Sequence, residues 1–324
     1  MSAASRTEEG ASLGRRLRER DLSAAPAAVN LLESRAPAAR EQAAALLHEV
    51  SPAVLGGEAP AHVVGVTGPP GVGKSSLLSR LIAAWRAQGR TVAMLAVDPS
   101  SRRSGGALLG DRARLEVDPR DRGLFVRSTA AAERLGGLAP ATRAAASALA
   151  AAFDVVVIET VGVGQSETEV AEVADTVAVV VQPGSGDVLQ CLKAGIMEVP
   201  DVLVVNKADL GRVATRALGD LRAALRSLGA SDTEVVLASS LPPGAGLDEL
   251  LAALERHRAR LDVPARRLAA RRAHALADFA AEHGERGLRA LGGRVKARRL
   301  LEAQDPGLDV PALIRALEAR AAGG

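Results

Sequence analysis

The stretch Gly68-Pro-Pro-Gly-Val-Gly-Lys74-Ser75 constrains this chain more than any other part of it. An apolar run at 62–67 precedes it, and a helical pattern beginning at Lys74 follows. A Gly-x4-Gly-Lys-Ser string in that setting is a phosphate-binding loop between a strand and a helix. Its glycines let successive backbone N–H groups turn inward toward phosphate oxygens, and the helix N-terminus adds a favourable dipole. Gly68, Pro69, Pro70, Gly71, Val72, Gly73, Lys74, Ser75 and Ser76 are the candidate phosphate contacts. Lys74 is also the candidate catalytic cation, reaching the β/γ oxygens, and Ser75 offers a hydroxyl to Mg²⁺. The bland alternative is a Gly/Pro-rich turn in a Gly-rich chain; the flanking strand and helix argue against it.

Such a loop needs a sheet behind it, and the neighbouring sequence supplies one. Short Val-rich runs at 62–67, 91–97, 124–127, 155–159, 177–181, 202–206 and 234–238 alternate with helical stretches. Apolar runs that are continuous, not alternating, mark strands buried on both faces, hence a parallel sheet covered by helices. The expected fold is α/β, a doubly wound, mostly parallel sheet over residues 61–262, with helical N- and C-terminal extensions at 1–60 and 263–324. Residues 1–12 are small and polar and are expected to be disordered. From Gly14 to Val50 Leu31, Leu32, Leu46 and Leu47 recur at helical spacing, and 51–61, with Pro52, Gly56, Gly57 and Pro60, reads as a linker. After Pro264 the pattern is helical, with breaks at Gly284, Gly292–Gly293 and Pro306–Gly307. Trp85, Phe125, Phe153 and Phe279 are the only aromatic residues of 324, so packing must rest on Leu, Val and Ala.

Two further strand ends carry chemistry. Asp154-Val-Val-Val-Ile-Glu159 is an apolar strand ending in a carboxylate, with Gly162 three residues on. That is the position of the acid that faces the ion of a phosphate loop, although glutamate replaces the commoner aspartate. Asp98, at the end of the 91–97 run, and Asp111, in the Gly-rich loop after it, are weaker metal candidates; alone, a solvated turn explains each. Val202-Leu-Val-Val-Asn206-Lys207-Ala208-Asp209 runs from a strand into Asn-Lys-x-Asp about 130 residues after Lys74. A carboxylate at Asp209 can accept both N1–H and the 2-amino group of guanine, whereas adenine would leave the acid unpaired. Asn206 can tie this loop to the phosphate loop, and the Lys207 stem can lie on the base. Ser239, Ser240 and Leu241 follow the last strand, where a backbone N–H can read guanine O6. GTP or GDP with Mg²⁺ is the cofactor set these residues imply.

Cys191 is the only cysteine, which excludes a disulfide framework and a cysteine metal site. His48, His62, His257, His274 and His283 show no ligand spacing and read as structural. There is no N-terminal h-region, and no apolar run approaches the roughly 18 residues of a membrane span, so a cytoplasmic chain without a membrane partner is expected. Residues 264–299 hold ten Lys/Arg against three Asp/Glu, yet the whole chain carries only +3. Without aromatic stacking residues, a dimer arm or a solvated face is expected there, and no nucleic acid.

With these residues in view, the chain resembles the methylmalonyl-CoA mutase-associated GTPases, the MeaB/ArgK group, over roughly 17–261. The most specific stretches are Val97-Asp98-Pro-Ser-Ser101, Ser104-Gly-Gly-Ala-Leu-Leu-Gly-Asp111, Glu159-Thr-Val-Gly-Val-Gly-Gln-Ser-Glu167 and Gln182-Pro-Gly-Ser-Gly-Asp187-Val-Leu-Gln190. The resemblance implies a homodimeric G-protein chaperone that gates cofactor loading of an adenosylcobalamin-dependent acyl-CoA mutase and protects it. It implies Asp98, Asp111 and Glu159 around Mg²⁺, and a segment at 182–195, with Asp187 and Lys193, that senses the partner. Val188, Cys191, Ala194 and Ala113 depart from the family pattern and bear on partner signalling, not on the nucleotide site. Gln165 is a candidate for orienting the attacking water; it lies three residues after Gly162, and a structural loop role competes. Two other function classes compete. A metal-insertion GTPase of the hydrogenase or urease maturation type would need Cys/His ligands. A small-molecule kinase would need a second pocket and a base, and Asp209 disfavours ATP.

Overall fold

A computed structural model describes residues 3–98, 115–130, 138–160, 170–184, 200–242 and 244–323. Along the chain come helices α1 (Ala3–Arg18), α2 (Ala25–Glu33), α3 (Pro37–Glu49) and α4 (Pro52–Leu55), then β1 (His62–Thr67) and α5 (Lys74–Ala87). Next are β2 (Val92–Asp98), β3 (Leu124–Ala130), α6 (Pro140–Ala150), β4 (Val155–Thr160), β5 (Thr176–Val181) and β6 (Val202–Val205). The described chain ends with α7 (Arg212–Ser227), β7 (Glu234–Leu237), α8 (Leu247–Arg260), α9 (Val263–Ala290), α10 (Arg294–Glu302) and α11 (Val310–Ala322). It divides into two compact units: 62–142 with 153–261, and 1–61 with 143–152 and 262–324.

The first unit is built on a seven-stranded sheet, ordered β3-β2-β4-β1-β5-β6-β7. Every pairing is parallel. The Val-rich runs explain this: β1, β4, β5 and β6 are buried at every position, so neither face can meet water. On one face Leu77, Leu78, Leu81, Ile82 and Trp85 of α5 and Leu250, Leu251 and Leu254 of α8 pack against Val64, Val66, Met94, Val155, Val157, Val180 and Val204. Burying a side chain of this size stabilises by about 1.5–3 kcal/mol, which is how a core nearly free of aromatics suffices. The order places β1 centrally and brings the ends of β1, β4 and β6 to one edge, where a ligand crevice of an open α/β sheet forms.

The second unit is helical. The expectation of disorder over 1–12 is corrected for its described part, because α1 already begins at Ala3. A Cβ at Gly10 would lie 2.0 Å from the Gln42 carbonyl oxygen, and one at Gly14 2.6 Å from the Leu46 carbonyl oxygen and Glu49 Cβ. Two glycines a helical turn apart therefore let α1 lie directly on α3, with Leu17 and Leu46 fully buried. Arg18 adds a 2.9 Å ion pair to Glu49. That tertiary contact overrides the weak local propensity of a small, polar stretch. The 51–61 segment is not a free linker either. Arg267 donates to the Ala59 and Ala61 carbonyls at 2.7 Å each, and Arg271 grips Glu58 with two bonds of 2.9 and 2.8 Å. The C-terminal breaks lie where glycine and proline indicate: Gly284 has φ 60 and ψ −163 inside α9, and Gly292–Gly293 separate α9 from α10. Leu276, Phe279, Leu288, Leu301, Leu313 and Leu317 form this part's core. No helix among the described residues is long and apolar enough to cross a membrane.

Candidate functional site

Residues 68–73 join β1 to α5, with backbone at Gly68, Gly71 and Gly73 that favours glycine. Gly68 has φ 139 and Gly73 φ 92. A Cβ on Gly68 would lie 2.1 Å from the Val180 carbonyl oxygen, and one on Gly73 2.6 Å from Asn206 Nδ2. The loop is thus wedged between β5 on one side and the residue after β6 on the other. Pro70 and Gly71 are exposed, and the helix begins at Lys74 with no side-chain cap. Uncapped N–H groups at a helix start are an anion site. Lys74, only 8% exposed, folds back over the loop, its Nζ donating to the Gly68 carbonyl at 2.6 Å and the Pro69 carbonyl at 3.1 Å. That ammonium stays hydrogen-bonded to the loop it covers.

Ser75 and Glu159 meet beside the loop. The Ser75 hydroxyl donates to Glu159 Oε1 at 2.9 Å, and Glu159 is 2% exposed. The pairing follows from register: Val66 lies opposite Glu159 between β1 and β4. Thr160 Oγ1 donates to Thr67 Oγ1 at 2.8 Å and fastens the same strand ends, a bond with no sequence signature. A hydroxyl and a carboxylate oxygen side by side are the hard donors that Mg²⁺ prefers, so these residues fit the ion. The side chain of Asp98 and all of Asp111, Gly162, Gln165 and 185–199, including Asp187, Val188, Cys191, Lys193 and Ala194, lie outside the described residues, as does Ala113.

The base loop is joined to the phosphate loop by one buried amide. Asn206, fully buried, donates from Nδ2 to the Val72 carbonyl at 2.8 Å, and its backbone N–H bonds the Val181 carbonyl at 2.8 Å. Lys207 adopts a left-handed φ of 61, uncommon for a residue with a side chain. Its Nζ reaches the Gly71 carbonyl at 3.4 Å and also hydrogen-bonds Gln182. The Lys207 stem therefore spans from the base loop to the phosphate loop. Asp209 accepts a 2.6 Å bond from the Ser239 hydroxyl, which itself accepts from the Leu241 N–H at 3.2 Å. One carboxylate oxygen is thereby fixed, and Ser239, Ser240 and Leu241 are held against Asp209. Sequence reasoning passed over Arg80, whose Nε donates to the Ser240 carbonyl at 3.1 Å and ties α5 to this turn. A polar residue on a helix gives no sign of such a reach.

The structure thus brings Gly68–Ser75, Glu159, Asn206, Lys207, Asp209 and Ser239–Leu241 together at the ends of β1, β4, β6 and β7. That grouping offers an anion cradle at one end and a hydrogen-bonding carboxylate at the other.

The sequence profile of a family described as "Methylmalonyl Co-A mutase-associated GTPase MeaB" matches residues 4–287. A putative GTPase of Pyrococcus horikoshii is 53% identical over 150 residues, which cover 46% of this chain and 47% of that one, about half its length. A probable GTPase of Mycobacterium tuberculosis is 42% identical over 268 residues, covering 80% and 78%. A solved structure described as an LAO/AO transport system kinase is similar, with a TM-score of 0.65 and 28% identity, covering 96% of this chain and 97% of that one.

Proposed function

This chain belongs to the methylmalonyl-CoA mutase-associated GTPases, and on that premise we propose that it hydrolyses GTP to gate cofactor loading of an adenosylcobalamin-dependent acyl-CoA mutase and to protect that enzyme. The nucleotide half of this reading is carried by one observation. The Asp209 carboxylate, fixed by Ser239, sits on the loop that Asn206 fastens to the phosphate cradle. An acid held there, exposed and open to a ligand, favours a base with two adjacent donors, which guanine has. The mutase half is supported by the family description, whose match reaches from the N-terminal helices into α9.

In this mechanism the N–H groups of 71–76, with Pro69 and Pro70 shaping the turn before them, hold the β- and γ-phosphates, and Lys74 moves from the Gly68 and Pro69 carbonyls to phosphate oxygens. Ser75 and Glu159 would hold Mg²⁺, with Asp98 and Asp111 beside them. The ion, when bound, neutralises charge that develops on the phosphate oxygens. Gln165 is proposed to orient the attacking water. Intrinsic turnover is slow because phosphoryl transfer depends on positioned charge, and a partner completes it. The 182–195 segment, starting at the Gln182 that bonds Lys207, relays the nucleotide state. The protein acts in the cytoplasm as a homodimer through 263–324, with 1–60 as a helical extension of the 61–262 nucleotide domain.

The test is mutase survival. A cobalamin-dependent acyl-CoA mutase from the same organism, turning over substrate, should keep its activity and cofactor absorption longer when this chain and GTP are present. Identical inactivation curves with and without the chain would refute the protective role.

A further inference from the structure

At the opposite end of the sheet, where the parallel strands begin, a line of polar side chains runs through the nucleotide-binding unit. Asp201, just before β6, contacts His257 of α8, Oδ1 to Nε2 at 3.1 Å. His257 Nδ1 lies 2.9 Å from Thr176 Oγ1, and the same hydroxyl lies 2.8 Å from Nε2 of His62. His62 Nδ1 faces Oε1 of Glu255 of α8 at 3.9 Å, and Arg90 pairs with the same oxygen. Thr176 and His62 open β5 and β1 and are 0% and 1% exposed.

Counting hydrogens shows what this line lacks. It has four contacts, Asp201–His257, His257–Thr176, Thr176–His62 and His62–Glu255, and each needs one hydrogen. A neutral Thr176 and two neutral imidazoles bring three. If His257 donates from Nε2 to Asp201, its Nδ1 must accept from the Thr176 hydroxyl. Thr176 then accepts from His62 Nε2–H, which leaves His62 Nδ1 bare before a carboxylate. The contact without a hydrogen is the one that stands open at 3.9 Å.

We propose that this line binds one proton and acts as a proton-operated latch between α8 and the base of the sheet. A proton arriving at His62 Nδ1 from the Glu255 side moves each hydrogen one link onward. The His62 Nε2 hydrogen passes to the Thr176 oxygen, and the hydroxyl hydrogen passes to His257 Nδ1. His62 ends neutral, donating from Nδ1 to Glu255, and the positive charge rests on His257 against Asp201. The surroundings favour that ending. Burial, and the Arg258 charge behind it, disfavour an imidazolium at His62 despite Glu255 and Asp175, whose carboxylate takes the Val63 N–H at 2.9 Å. Glu255 is held low by the bond it receives from His62 once that contact closes and by the Arg90 ion pair before and after, so it stays ionised throughout. His257, with its side chain 19% exposed, keeps contact with water. Four closed contacts in place of three fasten α8, which leads out of the turn holding Ser239 against Asp209, more firmly on acidification.

The full chain labelled with ¹⁵N-histidine, followed by NMR between pH 8 and 5, tests this. His62 should change from the Nε2–H to the Nδ1–H tautomer at the same midpoint at which His257 becomes imidazolium. Thr176→Val should uncouple the two, leaving His62 in one tautomer, and Thr176→Ser should restore the coupling. A wild-type His62 that keeps a single tautomer across the range overturns the proposal, as does a His257 titration unchanged in Thr176→Val.

Discussion

Asn206→Ala should weaken guanine-nucleotide binding by loosening the joint between the base loop and the phosphate loop. The buried Nδ2 bond to the Val72 carbonyl is what holds the base loop on the phosphate loop. Truncation leaves the carbonyl of Val72, itself fully buried, without that donor. An unsatisfied buried group costs about 1–3 kcal/mol, so affinity should fall about five- to 150-fold. Gly73→Ala reaches the same joint from the other side: its Cβ would stand 2.6 Å from Asn206 Nδ2 at a φ of 92. That variant suffers backbone strain of about 1–2 kcal/mol, plus the lost amide bond. In the Asn206→Ala background the clash has no partner, and only the strain remains. The double mutant should therefore be less impaired than the sum of the singles, with a coupling equal to the shared bond, about 1–3 kcal/mol. GDP and GTP titrations by fluorescence, with urea melts of the same four proteins, measure it. Additive costs would refute the joint, and so would an Asn206→Ala protein with wild-type affinity.

Asp209→Asn should exchange guanine for xanthine preference, because an amide donor meets a carbonyl where the carboxylate met an amino group; competition among GTP, XTP and ATP decides it, and retained GTP preference clears Asp209. Glu159→Ala should leave nucleotide affinity within a few-fold but raise the Mg²⁺ concentration needed for half-maximal turnover, and Lys74→Ala should abolish tight triphosphate binding; wild-type turnover of Glu159→Ala at limiting Mg²⁺ removes Glu159 from the ion. The buried His274, pushed down to about 4 by desolvation and then by the Arg143 charge, stays neutral in the fold while the unfolded chain takes up a proton below about 6.5. Stability should thus fall by about 2 kcal/mol from pH 7 to pH 5, and His274→Gln should flatten that slope in urea melts; an unchanged slope refutes the assignment.

Much of this was legible from the residues, for physical reasons. Parallel strands buried on both faces leave unbroken Val runs, so all seven strands could be placed, and a phosphate loop fixes its own backbone through glycine. Glu159 was legible as a strand-end acid, but its bond to Ser75 depends on β1–β4 register, which no local pattern reports. The α1 helix was misjudged because its stability lies in Gly10 and Gly14 meeting α3, a tertiary contact that small residues conceal. Arg80 and the Thr67–Thr160 bond were missed for the same reason, and so was the His62–Thr176–His257 line, whose members are up to 195 residues apart.

Single-turnover GTP hydrolysis, with and without a cobalamin-dependent acyl-CoA mutase from the same organism, tests the central claim most directly. Alone, the chain should turn over on the order of 10⁻⁴ to 10⁻² per second, as G domains do without a supplied catalytic group. The cognate mutase should raise that rate at least about tenfold, which requires only about 1.4 kcal/mol of transition-state stabilisation. A rate that no such mutase changes would contradict the account.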